Sequence, residues 1–471
     1  MQLATWPPRV RQLARTELDP MVRLATPVVL AEVGWMTMGL VDTMMVGRVS
    51  AEALGGVAVG GTLFFTVGLF AMGLLMGLDY EVSHAFGAGR AAEAHRWLVQ
   101  GLYLAVLAAV PGIVVLWWGV AGLGVLGIRP EVLAHAVPFG RALSWSLLPL
   151  LLLTAMRRYL QGLGLVKPIT FVVVTANLVN VVANWVLVFG HLGAPALGAE
   201  GSGWATCCSR VYMALVLAGY VVWHDRRAAA RLPRRRYTPD LAAIRRLLGL
   251  GLPAGTQMAL ECGVFAAATA LAGRLEPAAL AAHQVALNVA SMTFMVPLGI
   301  STAGAVRVGQ AMGRRDTAAA GQAGWTALLL AASFMSCAAL ALVTFPAAIV
   351  RVFTPDAAVV AVGVVLLFVA AVFQLFDGLQ VVATGVLRGT GDTRTPLLAN
   401  LVGHWAVGLP VGYTLCFVGG WGVIGLWVGL CVGLVAVALT LVWVWAARAG
   451  ASAAHGVTTA RPAQHQPSLE I

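Results

Sequence analysis

Twelve transmembrane helices in two six-helix lobes, related by a pseudo-two-fold axis along the membrane normal, form the all-α integral membrane fold that this 471-residue sequence predicts. Three observations predict it. Hydrophobic residues make up 60% of the chain and charged residues only 10%, with a mean hydropathy of +0.86, far from the balance of an ordinary soluble domain. The apolar residues gather into roughly twelve stretches, each near the ~20 residues a helix needs to cross hydrocarbon. The second half of the chain also repeats the start of the first at a shift of 226 residues.

The stretches run over 24–47, 54–84, 97–120, 136–158, 168–190, 199–223, 247–273, 279–306, 321–346, 358–387, 396–418 and 422–446, with short breaks rich in Gly, Pro and Arg. They are continuously apolar and do not alternate every second residue, which favours helices over a barrel. The clearly polar interior stretch is HDRRAAARLPRRRYTPD, His224 to Asp240, with six spans on either side of it. The chain therefore divides into an N-terminal lobe over 1–223, a basic linker over 224–246, a C-terminal lobe over 247–446 and a tail over 447–471 read as disordered.

At the 226 shift Pro27 falls on Pro253, Gly47-Arg48 on Gly273-Arg274, Ala53-Leu54 on Ala279-Leu280, Gly73 on Gly299 and Gly87 on Gly313. Further on, Leu160 to Gly164 matches Leu387 to Gly391 at a shift of 227, and Lys167-Pro168 matches Thr395-Pro396 at 228. Two separate stretches at nearly one period indicate a duplication. An even number of helices in each half gives both repeats the same orientation, hence an axis along the membrane normal. The acids do not repeat: Asp42 maps onto Ala268, Glu261 onto Trp35 and Asp377 onto Leu150.

The formal net charge of +11 would suit a nucleic-acid partner, but its placement points to topology instead. With the N-terminus in the cytoplasm, 24 of the 30 basic residues lie on that side: Arg9, Arg11, Arg15, Arg23, Arg90, Arg96, Arg157, Arg158, Lys167, eight from Arg226 to Arg246, Arg307, Arg314, Arg315, Arg388, Arg394, Arg448 and Arg461. The opposite loops carry Arg48, Arg129, Arg274 and Arg351. This is the positive-inside pattern, which places both termini in the cytoplasm, with anionic lipid as the neighbour of the excess charge. The first 23 residues have no apolar core and read as no cleavable signal. All six Cys lie within the spans without a Cys-x-x-Cys spacing, against disulfides and metal clusters.

Glu32, Asp42, Glu261 and Asp377 lie well inside spans, where an ionisable group points to function. The competing role is a protonated or hydrogen-bonded acid that pins two helices together. Glu261 lies roughly 18 Å and Asp377 roughly 15 Å from the cytoplasmic ends of their spans, so both reach mid-membrane and can face one cavity in the second lobe. Two carboxylates in a poorly hydrated pocket repel each other, and a bound cation relieves that repulsion. The pair is thus the expected site for Na+ or H+.

Asp42 lies about 25 Å in, nearer the outer surface. Trp35, Met38, Gly39 and Met45 share its face. That face suits an apolar cation, and equally packing against lipid or a neighbouring helix. Asn180 and Asn184, one turn apart in the fifth span, can hydrogen-bond an inward-facing acid such as Asp42 or simply join helices. Glu32 stands about 80° around the helix from Asp42, so the two acids need separate explanations; an inter-helix hydrogen bond and a transport role both stay open for it. Gln374, His404, Arg210 and Asn288 are single polar residues for which inter-helix contact is the competing reading; Gln374 and Phe373 are expected beside the substrate or the coupling acids. His283-Gln284 is placed near a membrane interface. Asp79-Tyr80-Glu81 reads as solvated, with a gating or ion-pair role with Arg90 as the alternative.

Taken together, RLATPVVLAEVGWMTMGLVDTMMVGRVS (Arg23–Ser50), SHAFGAGR (Ser83–Arg90), NVVANWVLVFGHLGAPALGAEGSGWAT (Asn180–Thr206), LAAHQVALNVASMTFMVPLGISTAGAVRVGQAMGRRD (Leu280–Asp316), QLFDGLQVVATGVLRGTGDTRTP (Gln374–Pro396) and GLPVGYTL (Gly408–Leu415) resemble the multidrug and toxic compound extrusion (MATE) transporters, in particular their NorM-like bacterial branch. The resemblance runs across nearly the whole chain. It implies a twelve-helix exporter of the bacterial inner membrane that expels organic cations in exchange for Na+ or H+ by alternating access. It implies that Asp42 is the family's first-helix aspartate, linked to protonation and substrate, and that Glu261 and Asp377 are its carboxylate pair, linked to cation binding. Phe373, one turn before Asp377, stands where some sodium-using relatives have Tyr, which alters one oxygen or ring contact. Glu32, Asp79 and Glu81 depart from the apolar residues expected in that branch.

The resulting expectation is a cation-coupled antiporter for amphipathic organic cations, acting as a monomer among membrane lipids. It needs no cofactor beyond its coupling ion, and its metal site, if Na+ binds, is Glu261 with Asp377. A lipid-linked precursor flippase of the same superfamily would need a cationic cavity, whereas the charges within the spans are mostly acidic, with Arg210 the main exception. A membrane-embedded enzyme would need a nucleophile or metal set near a span end, and no His-Glu-x-x-His, Walker loop or clustered His and Asp occurs. A passive channel fits poorly with two lobes of unequal charge.

Overall fold

The structure is a computed structural model and describes residues 17–228 and 238–456. Among these residues the regular structure is helical, joined by short turns and loops. The first half contains α1 (Asp19–Val46), α2 (Ala51–Leu74), α3 (Gly77–Gly87), α4 (Ala91–Gly122), α5 (Pro130–Ser144), α6 (Leu147–Gly162), α7 (Lys167–Phe189) and α8 (Ala199–Ala228). The second contains α9 (Leu241–Ala272), α10 (Pro277–Gly313), α11 (Thr317–Thr344), α12 (Pro346–Phe353), α13 (Ala357–Gly389), α14 (Arg394–Val418) and α15 (Gly422–Gly456). Ten runs, among them α2 with α3 as one, are long and apolar enough to cross a membrane; α5 and α6, bent by 44°, make an eleventh. The 32-residue α9 is long enough to span but is not among these apolar runs.

Capping side chains explain why several helices begin earlier than hydropathy alone places them. Ser50 accepts from the Ala53 N–H ahead of α2, Asp240 from Ala242 and Ala243 ahead of α9, Asp316 from Ala319 ahead of α11, and Asp356 from Ala358 and Val359 ahead of α13. Each satisfies amide donors that a helix start leaves without partners. The short α12, started by Pro346, falls in a stretch the sequence reading leaves as a loop. Helix α8 runs on to Ala228, and the centre of the basic linker, 229–237, lies outside the described residues. Helix α15 continues past 446 to Gly456, so that part of the expected disordered tail is helical; 457–471 lie outside the described residues.

The apolar cores divide by half, with one exchange at the seam. Met21 and Ala25 of α1 are buried in the core of the second half, and Ala243, Ile244 and Leu247 of α9 in that of the first. The 226 shift carries Met21 onto Leu247, so each half lends the start of its first helix to the other. The closest approaches between lobes obey the same shift. A methyl added at Gly73 would meet Gly255 at 2.2 Å, and one at Gly299, the partner of Gly73, would meet Val29, the partner of Gly255, at 2.4 Å. A methyl at Gly87 would lie 2.1 Å from the Gln310 carbonyl oxygen, and one at Gly313 would lie 2.1 Å from that of His84. Backbones this close leave no room for a Cβ. The duplication read from the sequence is thus a two-fold axis through the lobe seam, and these contacts join the lobes on the arginine-rich side.

Candidate functional site

The N-lobe site assembles around Asp42 of α1. Asn180 and Asn184 of α7 donate to its Oδ1 at 3.0 and 2.7 Å, and Thr206 of α8 donates to its Oδ2 at 2.7 Å. One turn separates the asparagines, so both amides reach one carboxylate. Both are fully buried, at 0% exposure, and the side-chain oxygen of each has no hydrogen-bond partner. Arg210, one turn beyond Thr206, donates to Ser146 at 2.6 Å, lies over the Phe64 ring at 4.6 Å and is close enough to interact electrostatically with Asp42. The result is a carboxylate with three donors and a nearby guanidinium. Of the residues expected on the Asp42 face, Met38 is buried in the lobe core and Trp35 is half-buried against it.

The C-lobe site is built differently. Gln257 donates to Glu261 at 3.0 Å along α9, and Gln380 of α13 lies within hydrogen-bonding reach of the same carboxylate. Asp377 of α13, 6% exposed, is close enough to feel the charge of Glu261 and accepts no hydrogen bond from the described residues. Gln374 accepts from Thr293 at 2.7 Å, and its buried amide nitrogen has no partner. Gln380 also donates to Asn400 of α14 at 3.4 Å, and Trp405 donates to the Leu260 carbonyl at 3.0 Å, which fixes α14 against α9 beside Glu261. Here α14 contains two π-helical stretches, Leu401–Gly408 and Thr414–Val418. Phe373 is buried edge-on against Phe265 and Trp427, within an apolar cluster.

Several placements differ from the sequence reading. Asp79 and Glu81 are not solvated: they are 1% and 2% exposed, because α3 turns them into the lobe seam. Asp79 contacts Arg158 and Arg388, and Glu81 contacts Arg246; Arg90 pairs instead with Glu93. Arg157 and Arg158 belong to buried pairs at the end of α6 and are not loop charges. Arg157 holds Glu32, which gives that acid an inter-helix partner. His283 is fully buried within its lobe, accepts from Trp427 at 3.0 Å and meets the Thr269 hydroxyl at 2.9 Å. His404 is buried as well, with neither ring nitrogen partnered. Sequence reasoning missed Thr206, Gln257, Gln380 and Asn400. Only Gln257 had a local signal, one turn before Glu261 on the same helix.

Comparison with known proteins agrees with this architecture. The MatE family model matches twice, over residues 27–186 and 253–414. The two matches begin at Pro27 and Pro253, the pair that opens the internal repeat. The chain is 37% identical over 443 residues to a probable multidrug resistance protein NorM of Mesorhizobium japonicum, covering 93% of this chain and 95% of that one. It is 35% identical over 438 residues to a protein of the same name from Brucella suis, with coverages of 91% and 93%. The crystal structure of the eukaryotic MATE transporter AtDTX14 superposes with a TM-score of 0.83 at 21% identity, over 94% of this chain and 99% of that one, which shows a shared fold. With both copies of the family model on the repeat, and curated relatives matched nearly end to end, the chain belongs to the MatE family, on its NorM-like branch.

Proposed function

We propose that the protein is a multidrug efflux antiporter, exporting amphipathic organic cations in exchange for Na+ or H+ by alternating access. The observation that carries this reading is the Glu261–Asp377 pair: two acids close together in one lobe of a family member, with glutamine amides beside one and no hydrogen bond to the other. Placing charge there without a counter-ion is costly, and a cation arriving from outside compensates it. Occupancy then favours the state that releases substrate outward, and exchange is obligatory if ion and drug cannot share the returning state. The membrane potential adds about 2.3 kcal/mol per charge per 100 mV. Asp42, with Asn180, Asn184 and Thr206, is a second cation or proton site in the other lobe, near which Trp35 and Met38 lie along α1. The arginine distribution supports cytoplasmic termini in a bacterial inner membrane and anionic lipid as the neighbour.

The test is dye efflux from proteoliposomes under a pH gradient alone and under a sodium gradient alone, for the parent protein and for Glu261→Gln, Asp377→Asn and Asp42→Asn. Gradient-driven efflux lost or uncoupled in the variants supports the assignment. Three variants that transport like the parent overturn the sites, and efflux under neither gradient overturns antiport.

A further inference from the structure

The backbone contacts across the lobe seam are two-fold, but the buried charges there are not. Asp79 receives Arg158 of its own lobe at 3.2 Å and Arg388 of the other lobe at 2.9 Å, both on Oδ2, while its Oδ1 has no hydrogen bond. Both arginines are only 7% exposed, so the triad is out of water. The repeat carries Asp79 onto Ala305 and Gln161 onto Arg388. At the related position an uncharged amide therefore stands where Arg388 would be, and both atoms of the buried Gln161 amide lack partners. The surrounding backbone is alike on the two sides: Gly162 packs on Val82, and Gly389 packs on Val308, the repeat partner of Val82. Only the charge differs.

We propose that Asp79, Arg158 and Arg388 form a one-sided polar latch that holds the lobes closed on the arginine-rich side, with Arg388 as the moving half. The proposal rests on the alternating-access reading, in which this seam opens once per cycle. A simple buried pair would be a poor latch, because separating it strands an uncompensated charge. Arg158 removes that obstacle: it stays on α6 beside Asp79 when α13 withdraws, while Arg388 moves out to water. The second seam pair behaves differently. Glu81 meets Arg246 at 2.5 Å, and at the repeat partner of Glu81 the signs are reversed, with Arg307 meeting Glu17 at 2.6 Å. Here the Arg246 side chain is 58% exposed and already hydrated, so this pair resists opening less.

The test is a distance measurement by electron paramagnetic resonance, with spin labels at the exposed Ala91 and Ala318, one in each lobe, and the exposed Cys208 and Cys337 replaced by Ser. Arg388→Met is expected to shift the closed-to-open ratio toward the long distance by about tenfold, and Arg388→Lys to restore most of it. Arg158→Met, which keeps the cross-lobe pair but leaves Asp79 uncompensated when α13 withdraws, is expected to shift the ratio toward closed. The double variant Gln161→Arg with Ala305→Asp, which installs the missing pair, is expected to shift the ratio toward closed. An unchanged distance in Arg388→Met, a shift toward open in Arg158→Met, or a double variant that does not close further overturns the latch. The distances are read without transport, so a failure of the antiport reading shows separately, as absent efflux in a protein whose latch still responds.

Discussion

The two lobes share a backbone plan but treat a buried acid in opposite ways. In the first, Asp42 has three side-chain donors from two helices and an arginine within electrostatic reach. In the second, Asp377 has no donor and a second carboxylate nearby. The first arrangement turns the protein's own donors toward the acid, and the second leaves more of that role to something that arrives. A duplicated scaffold can therefore surround one acid with its own donors and leave another pair short of them, so that occupancy of the pair changes the relative energies of two conformations more strongly.

That contrast is broken most directly in the C-lobe. Asp377→Asn keeps the shape but removes the repulsion, and gradient-driven efflux should fall by on the order of 100-fold, near the top of the range for coupling between sites. Glu261→Gln should behave similarly. The measurement is initial efflux rate against imposed gradient in proteoliposomes. A parent-like gradient dependence in both would mean that the pair is structural.

The N-lobe site should respond in smaller steps, because its support is divided among several donors. Thr206→Val removes one hydrogen bond to a charged group, about 2 kcal/mol, or roughly a 30-fold rise in the sodium concentration giving half-maximal efflux. Gln257→Leu is the matching deletion beside Glu261. If it produces the larger change, the contrast between a supported and an unsupported acid fails.

Much of this was legible in the sequence, for identifiable reasons. Helix number and the duplication follow from hydropathy and from glycines such as Gly73 and Gly87, whose spacing is dictated by backbone contact at the seam. The nearness of Glu261 and Asp377 could be anticipated from their similar distances along their helices. Asn180 and Asn184 could be matched to Asp42 because their one-turn spacing points both amides the same way. Gln380, Asn400 and Thr206 could not be matched in that manner, since each meets its partner only through the packing of a different helix. Asp79 was misread because a position near a span end normally means water. The turn of α3 into the other lobe is a tertiary event with no local signature. Glu32 and Arg157 likewise lie 125 positions apart and meet only after folding.

The comparison is sharpened by acids that should have no part in coupling. Glu32, paired with Arg157, is expected to be structural: Glu32→Gln keeps an acceptor for the guanidinium but loses its charge. A loss of about 1.5 kcal/mol in stability is expected, with the dependence of efflux on either gradient unchanged. Thermal unfolding in detergent and efflux from the same preparation check both halves. Altered coupling would bring Glu32 into the transport set.

The smallest effect is expected at Asp392, outside the spans between α13 and α14. Partial burial works against its charge, but hydrogen bonds from the Thr395 hydroxyl at 2.6 Å and amide at 3.0 Å, with Arg448 alongside, outweigh it and hold the carboxyl below its ordinary value of 3.8. The carboxylate is thus favoured in the folded state. Its contribution is fully present above pH 3.8 and is lost as pH falls through the lowered folded value. Asp392→Ala should cost about 1 kcal/mol at neutral pH, as for other helix-start caps. The stability gap between parent and variant should narrow on acidification, and efflux coupling should not change. A gap that widens as pH falls would mean that Asp392 is held in its protonated form. It would then belong with the unsupported acids of the C-lobe, and partner number would no longer separate the two kinds of site.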